Sequence, residues 1–202
     1  MARTKGELFA EFFQIQEPVS IVVEPVREDE VPGTVALLER DIPPLFKLAN
    51  EVNTLEQSAL RPLRLLGETA NELAHYLQLQ SRKIDLILSH ILMQQNTEKP
   101  TEKAKSYGGS GFVVVRDTAL DQGQFARCKL FLDHEAAAIY CYGEVIEVSQ
   151  CKDGFEHKLL FCTIREQDQE LLVRASLHAQ TRQLKKRHEE KQDSEQQDEE
   201  QD

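Results

Sequence analysis

The part of this chain that most resembles a chemical site is a glycine-rich segment, Ser106-Tyr-Gly-Gly-Ser-Gly111, directly before the apolar run FVVV. Glycines allow a tight turn and let backbone N–H groups approach an anion closely, so the segment could cradle a phosphate. It lacks the lysine of GxxxxGK[ST], and no helix is predicted after it, so it is not a P-loop. The alternative is that the segment is only a flexible entry into a strand.

The other reactive residue types form no recognisable constellation. None of the six histidines belongs to an HExxH motif, and the sequence contains neither GxSxG nor a glycine-rich dinucleotide fingerprint. The spacing of the four cysteines, Cys128, Cys141, Cys151 and Cys162, matches no CxxC-type zinc site. We therefore expect no catalytic residue, no metal and no cofactor, and we interpret the cysteines as small buried or strand residues.

Composition and charge exclude two further classes of protein. The 202 residues carry a net charge of -11, and six of the acidic residues lie in the last ten positions. Such a chain cannot bind nucleic acid by bulk charge, because that binding needs clustered lysine and arginine. The N-terminus does not read as a signal peptide, and no apolar run is long enough to span a membrane, so we expect a cytoplasmic protein.

Residues 1–44 are predicted to contain one strand. The run PVSIVVEPV at 18–26 is rich in β-branched residues, and Pro25 favours an edge position for it. The proline-marked residues 27–44 are predicted to be mostly loop.

Helical spacing of apolar residues begins at about Leu45 and continues to Gln95. Pro62 interrupts it, so we expect two helices, about 45–60 and 62–95, or one kinked helix. The second would be a rod of roughly 50 Å, longer than the rest of the chain can cover. A seven-residue repeat runs along it, and its predicted oligomerisation seam consists of Leu63, Leu66, Ala70, Leu73, Leu77, Gln80, Ile84, Ile87 and Ile91.

This seam predicts self-association. Isoleucine at both core positions of the repeat favours three or four strands over two, and the flanking positions are small or apolar rather than oppositely charged. The alternative is an antiparallel helix pair that packs on its own domain without an oligomer.

The second half of the chain is predicted to be mostly β. Residues 96–106 read as a polar linker, and residues 107–187 as strands at roughly ten-residue spacing followed by a helix from about Glu166. Gly143 is expected at a β-bulge. The tail at 188–202 is expected to be disordered and acidic. The fold class is therefore α+β, an antiparallel sheet or small barrel with an inserted helical segment.

The order of these elements resembles the PilZ family. The stretches SYGGSGF, DQGQFARCKLFLD, AIYCYGEVIEV and KLLFCTIREQDQELLVR follow the family's succession of strands and closing helix. The long helix after the first strand resembles the atypical branch of the family that forms tetramers. The resemblance covers about residues 12–180 and implies a six-stranded antiparallel barrel in a bacterial signalling protein.

PilZ domains generally bind cyclic di-GMP through an RxxxR motif and a [D/N]xSxxG motif. The second motif maps onto Ser106, Gly108 and Gly111, of which only Gly111 matches, and RxxxR is absent. Two lost charge-assisted hydrogen bonds would weaken binding by about two to four decades. The resemblance therefore implies a homo-oligomer, expected to be a tetramer, that acts through an unidentified protein partner with weak or no nucleotide binding.

The alternative is a genuine cyclic di-GMP receptor that uses non-standard cations. Arg116, after the FVVV run, and the lysines Lys99, Lys103 and Lys105 could supply them.

Overall fold

The computed structural model describes residues 3–48, 102–135 and 137–199, together with residues 72, 73, 75–77, 79–81, 83, 84, 87 and 91. In the part before residue 49, helix α1 (Lys5–Phe9) precedes strand β1 (Val19–Val26), and helix α2 (Val35–Asp41) follows it. After residue 101 come five strands, β2 (Glu102–Tyr107), β3 (Gly111–Arg116), β4 (Phe125–Leu132), β5 (Ala137–Cys151) and β6 (Gly154–Thr163). A long terminal helix, α3 (Glu166–Glu199), ends the described chain.

The six strands close into a barrel in the order β1-β2-β3-β6-β5-β4, and every neighbouring pair is antiparallel. This confirms the predicted antiparallel barrel and its closing helix, which starts at Glu166 as expected. The predicted bulge is also confirmed, because the β5–β6 register shifts between Tyr142 and Gly143.

Strand β1 carries β-branched residues on both faces because both faces are covered. Ile21 and Val23 belong to the core inside the barrel. Val22 points to the outside, where Leu38 of α2 and Phe46 pack against it. The prediction of an edge strand was wrong, since β1 pairs with both β2 and β4. Pro25 is tolerated because β2 pairs only with positions 19–21, so the β2-facing side of Pro25 needs no ladder hydrogen bond.

Three predicted boundaries need correction. Residues 27–44 contain helix α2, whose N-cap Thr34 accepts a hydrogen bond from the Leu37 N–H. The predicted linker at 96–106 contains the start of β2, because Ala104 and Ser106 are buried while Lys103 and Lys105 alternate outward. The tail predicted to be disordered is helical as far as Glu199, since glutamate, glutamine and lysine are good helix formers that continue α3.

Helix α3 closes one side of the barrel. Its apolar face includes Leu171, Leu172, Ala175 and Ala179, and all four join the main core. Arg165 and Asp168 form a buried, two-bond ion pair of 2.8 and 2.9 Å at the start of the helix. Burial raises the pKa of Asp168, although the Arg165 guanidinium opposes the shift.

The inserted segment is described only at single positions. Those between residues 72 and 91 are helical, in agreement with the helical prediction there. Leu63, Leu66 and Ala70 lie outside the described residues. In the part of the chain that the structure describes, no helix is long and apolar enough to cross a bilayer.

Candidate functional site

The glycine-rich segment forms the tight turn between β2 and β3. The Gly108 N–H donates to the Gly111 carbonyl over 2.9 Å, which closes the hairpin. Ser106 is the next-to-last residue of β2, and Gly111 is the first residue of β3. The structure therefore places Ser106, Gly108 and Gly111 in one tight turn.

The turn is covered by the N-terminal segment of the same chain. Ile15 and Tyr107 exchange backbone hydrogen bonds of 2.9 and 3.1 Å. The Ser110 hydroxyl donates to the Phe9 carbonyl over 2.6 Å, and the Gln14 amide donates to the Ser110 hydroxyl over 3.3 Å. All four residues from Gly108 to Gly111 are buried. Residues 9–15 therefore pack over the turn.

Close packing explains why these positions are glycine. A Cβ at Gly111 would overlap the Leu159 carbonyl, and one at Gly108 would overlap the Phe13 carbonyl. A Cβ at Gly109 would lie 2.7 Å from atoms of the Phe12 ring and the Val173 side chain. None of the three glycines has the positive φ that would require glycine for backbone reasons. Their common property is contact with their own chain.

Arg116, the other predicted ligand residue, lies at the opposite end of β3. Five residue steps along the strand separate it from Gly111, which corresponds to about 17 Å. Its guanidinium pairs with Glu102 on β2 at 3.0 Å. The structure therefore does not bring Arg116 to the glycine turn.

The lysines of β2 also have partners. The Lys103 ammonium donates to the Ser20 hydroxyl over 2.7 Å, and Lys105 pairs with Glu156 over 2.7 Å. Lys99 lies outside the described residues.

A polar cluster at the Arg116 end of β3 was not expected from the sequence. The His157 ring is fully buried, and its Nε2 accepts a hydrogen bond from the Leu120 N–H over 2.8 Å. Burial lowers the pKa of His157, so the ring is neutral at neutral pH and carries its proton on Nδ1. Burial raises the pKa of Glu102, and the Arg116 charge opposes that shift. Each of these three residues has one buried atom without a hydrogen-bond partner: Glu102 Oε2, Arg116 Nη1 and His157 Nδ1.

A second polar cluster joins the N-terminal segment to α3. The Tyr107 hydroxyl donates to Glu17 over 3.1 Å, and Arg182 of α3 pairs with Glu17 over 3.1 Å and with Glu135 over 3.8 Å. His178 contacts Glu135 over 3.1 Å. Burial, with Glu17 adding to it, raises the pKa of Tyr107. Because its members come from four distant segments, no local motif could have revealed it.

The four cysteines are distributed over β4, β5 and β6. Cys128 and Cys141 are buried and lie opposite each other on β4 and β5, and burial raises the pKa of Cys141. All four cysteines lie on strands, as expected. Within the described residues, no group of three or more histidine, cysteine, aspartate or glutamate side chains is arranged to hold a metal ion.

The predicted oligomerisation seam is apolar and exposed where the structure describes it. Leu73, Leu77, Ile84, Ile87 and Ile91 are all exposed, and Ile87 reaches 62%. Gln80 is half-buried.

The barrel has a solved counterpart. A structure from Xanthomonas campestris, described as a new tetrameric PilZ domain self-assembled via an unusual helical bundle, matches this chain with a TM-score of 0.53. The match covers 88% of this chain and 93% of that one, at 16% sequence identity. This chain has the PilZ fold.

The other comparisons do not extend the PilZ likeness beyond the fold. The Bacillus subtilis inhibitor of motility, MotI/DgrA, matches with a TM-score of 0.46 and 11% identity over 93% of this chain and 54% of that one. This chain therefore spans about half the length of that protein. No family profile and no curated protein sequence matches the chain.

Proposed function

We propose that this chain is a non-enzymatic, self-assembling PilZ-type protein of bacterial cyclic di-GMP-linked signalling. It acts through protein–protein contacts and has weak or no affinity for the nucleotide itself. The observation that carries this proposal is the closed glycine turn, whose backbone is already packed against Phe12, Phe13 and Leu159 of the same chain.

Charge supports the same conclusion. A ligand with two phosphates needs guanidinium or ammonium groups near the glycines. Of the four cations proposed for the alternative receptor, Lys99 lies outside the described residues. The other three, Lys103, Lys105 and Arg116, each contact a partner on the barrel, and Arg116 is about 17 Å along β3 from the turn. The receptor alternative would therefore have to break existing ion pairs and uncover the turn.

Self-assembly follows from the exposed stripe of the inserted helix. Exposed Leu77, Ile84 and Ile91 recur at seven-residue spacing, and Leu73 and Ile87 occupy the second core position of the repeat. Exposing such an apolar stripe to water is unfavourable, and a helical bundle would bury it. The Xanthomonas protein with this fold is described as assembling through a helical bundle, which supports the same arrangement here.

Light scattering coupled to size-exclusion chromatography tests the assembly. We expect the unaltered chain to elute with about four times the 23.1 kDa chain mass, and Ile84→Asp/Ile87→Asp to lower that mass. The control is Leu37→Ser, which places a polar side chain at an exposed leucine on α2. A monomeric unaltered chain, or a mass that the double substitution leaves unchanged, would contradict the proposal.

A further inference from the structure

The terminal helix α3 has a second apolar face that the barrel leaves mostly uncovered. Leu177 and Leu184 are 53% and 57% exposed. Val173 is half-buried, because its side chain lies next to Gly109 and Phe12. At 100° per residue these three positions lie within about 40° of one another, on the side opposite the core residues Leu172, Ala175 and Ala179. Part of this face forms an open groove of about 490 Å³, to which Phe12 contributes its ring.

The residues of this face follow a heptad spacing with a charge at each end. Spacings of three and four residues alternate along the series Glu170, Val173, Leu177, Gln180, Leu184 and Arg187. These are the spacings of the two core positions in a coiled coil. The series is acidic at its start, apolar in its middle and basic at its end, over about 26 Å of helix.

This pattern is complementary to itself when one helix is reversed. If a two-fold axis passes between residues 178 and 179, Glu170 faces Arg187 of the second copy, and Val173 faces Leu184 of the second copy. Leu177 then faces Gln180 of the second copy. Every contact occurs twice, as a two-fold interface requires. A parallel pair would instead place Glu170 against Glu170 and Arg187 against Arg187.

We propose that α3 is a second self-association surface, on which a second copy of this chain docks its own α3 in the antiparallel direction. Because the core face of each helix points away from the seam, the two barrels lie on opposite sides of the helix pair. This interface is separate from the one proposed for the inserted helix, so one can fail without the other. In the proposed tetramer the α3 helices pair two by two within the same assembly, and the expected mass stays at four chains.

The first test removes the apolar centre of the seam. In a chain that carries Ile84→Asp/Ile87→Asp, we expect light scattering to give twice the 23.1 kDa chain mass at micromolar concentration. Adding Leu177→Ser/Leu184→Ser should halve that mass, whereas adding Leu37→Ser should not. Because both leucines are more than half exposed, folding should persist, as checked by thermal unfolding.

Two outcomes would overturn the α3 interface. One is a monomeric Ile84→Asp/Ile87→Asp chain. The other is a Leu177→Ser/Leu184→Ser chain that melts at a lower temperature without a change in mass, which would mean that the chain covers this face itself. If Ile84→Asp/Ile87→Asp leaves the mass of the unaltered chain unchanged, the inserted-helix assembly fails, and the effect of Leu177→Ser/Leu184→Ser on that mass still decides the α3 interface.

The second test reads the orientation by exchanging charges. Glu170→Arg alone and Arg187→Glu alone each place like charges together at both ends of the pair, and each should weaken the dimer about tenfold. The double variant restores opposite charges in the antiparallel register and should return the dissociation constant to that of the parent chain. Single variants without effect, or a double variant that is no tighter than the single ones, would contradict the proposed register.

Discussion

The two ends of strand β3 differ in how their polar groups are packed and hydrogen-bonded. At Gly111 the backbone turn is closed by the N-terminal segment, and the Ser110 hydroxyl donates to Phe9. At Arg116 the side chains meet at a charged cluster, and the guanidinium, Glu102 and His157 each keep one buried atom without a partner. At the glycine end, Gln14 Oε1 is also buried without a partner, so in the described residues three of the four such side-chain atoms lie at the Arg116 end. The comparison shows that glycine content identifies the more tightly packed end of this strand, while most of the unsatisfied polar atoms lie at the other end.

The largest expected effect is at the packed end. Gly111→Ala would push a methyl group into the Leu159 carbonyl, which is backbone and cannot rotate away. We expect the free energy of unfolding to fall by about 3 kcal/mol or more. Denaturant unfolding of the variant and of the unaltered chain measures this difference in free energy.

The matched control for this substitution is Gly33→Ala. Nothing lies within 4 Å of the added atom at that position, so the change should stay within about 0.5 kcal/mol. Equal stability of the two variants would show that the turn is loose enough to open for a ligand.

An intermediate effect is expected at the charged end. His157→Leu removes the acceptor of the Leu120 N–H and leaves that donor buried, at a cost of about 1–3 kcal/mol. His157→Gln keeps an amide oxygen that can accept the bond, so it should cost less. If both variants are as stable as the unaltered chain, the Leu120 hydrogen bond does not stabilise this end of the barrel.

The contribution of His157 to stability should depend on pH, and the sign of that dependence follows from its pKa. Burial lowers the pKa of His157 in the folded chain below its ordinary value of 6.5. Between the folded-state pKa and 6.5, the unfolded chain therefore binds a proton that the folded chain does not. The contribution of His157 is therefore present above about pH 6.5 and is lost as the pH falls. Thermal unfolding between pH 7.5 and 5 should show a shallower loss in His157→Gln than in the unaltered chain, and equal slopes would contradict a neutral buried ring.

Local sequence patterns predicted most elements of the fold. Five of the six strands and the start of α3 follow from alternating or β-branched runs, which are local signals. Strand β2 was missed because its exposed Lys103 and Lys105 make a half-buried strand look like a polar linker. Helix α2 was missed because it is only seven residues long and lies between prolines.

The candidate site was predicted only in part for a similar reason. The turn from Ser106 to Gly111 is a local feature and was found. Its covering residues, Phe9 to Ile15, are more than 90 positions away, and the partner of Arg116 is set by strand register. Pairings of this kind depend on tertiary structure and leave no motif.

The smallest expected effect concerns the ion pair that holds the N-terminal segment to α3. Arg182→Ala removes the 3.1 Å contact with Glu17 and should cost about 0.5–1 kcal/mol, because both groups are partly exposed. Lys186→Ala is the control, since its 3.8 Å pair with Glu190 is fully on the surface. If denaturant unfolding shows a larger loss of stability for Lys186→Ala than for Arg182→Ala, the Arg182–Glu17 pair does not hold the segment.

The central proposal is that the glycine turn, which its own chain covers, binds the nucleotide weakly or not at all. Calorimetric titration of cyclic di-GMP into the full chain, at an assembly state fixed by light scattering, tests it most directly. The account predicts no heat beyond that of dilution at high micromolar ligand. A saturable heat at low micromolar ligand, removed by Arg116→Ala, would contradict it and establish the receptor alternative.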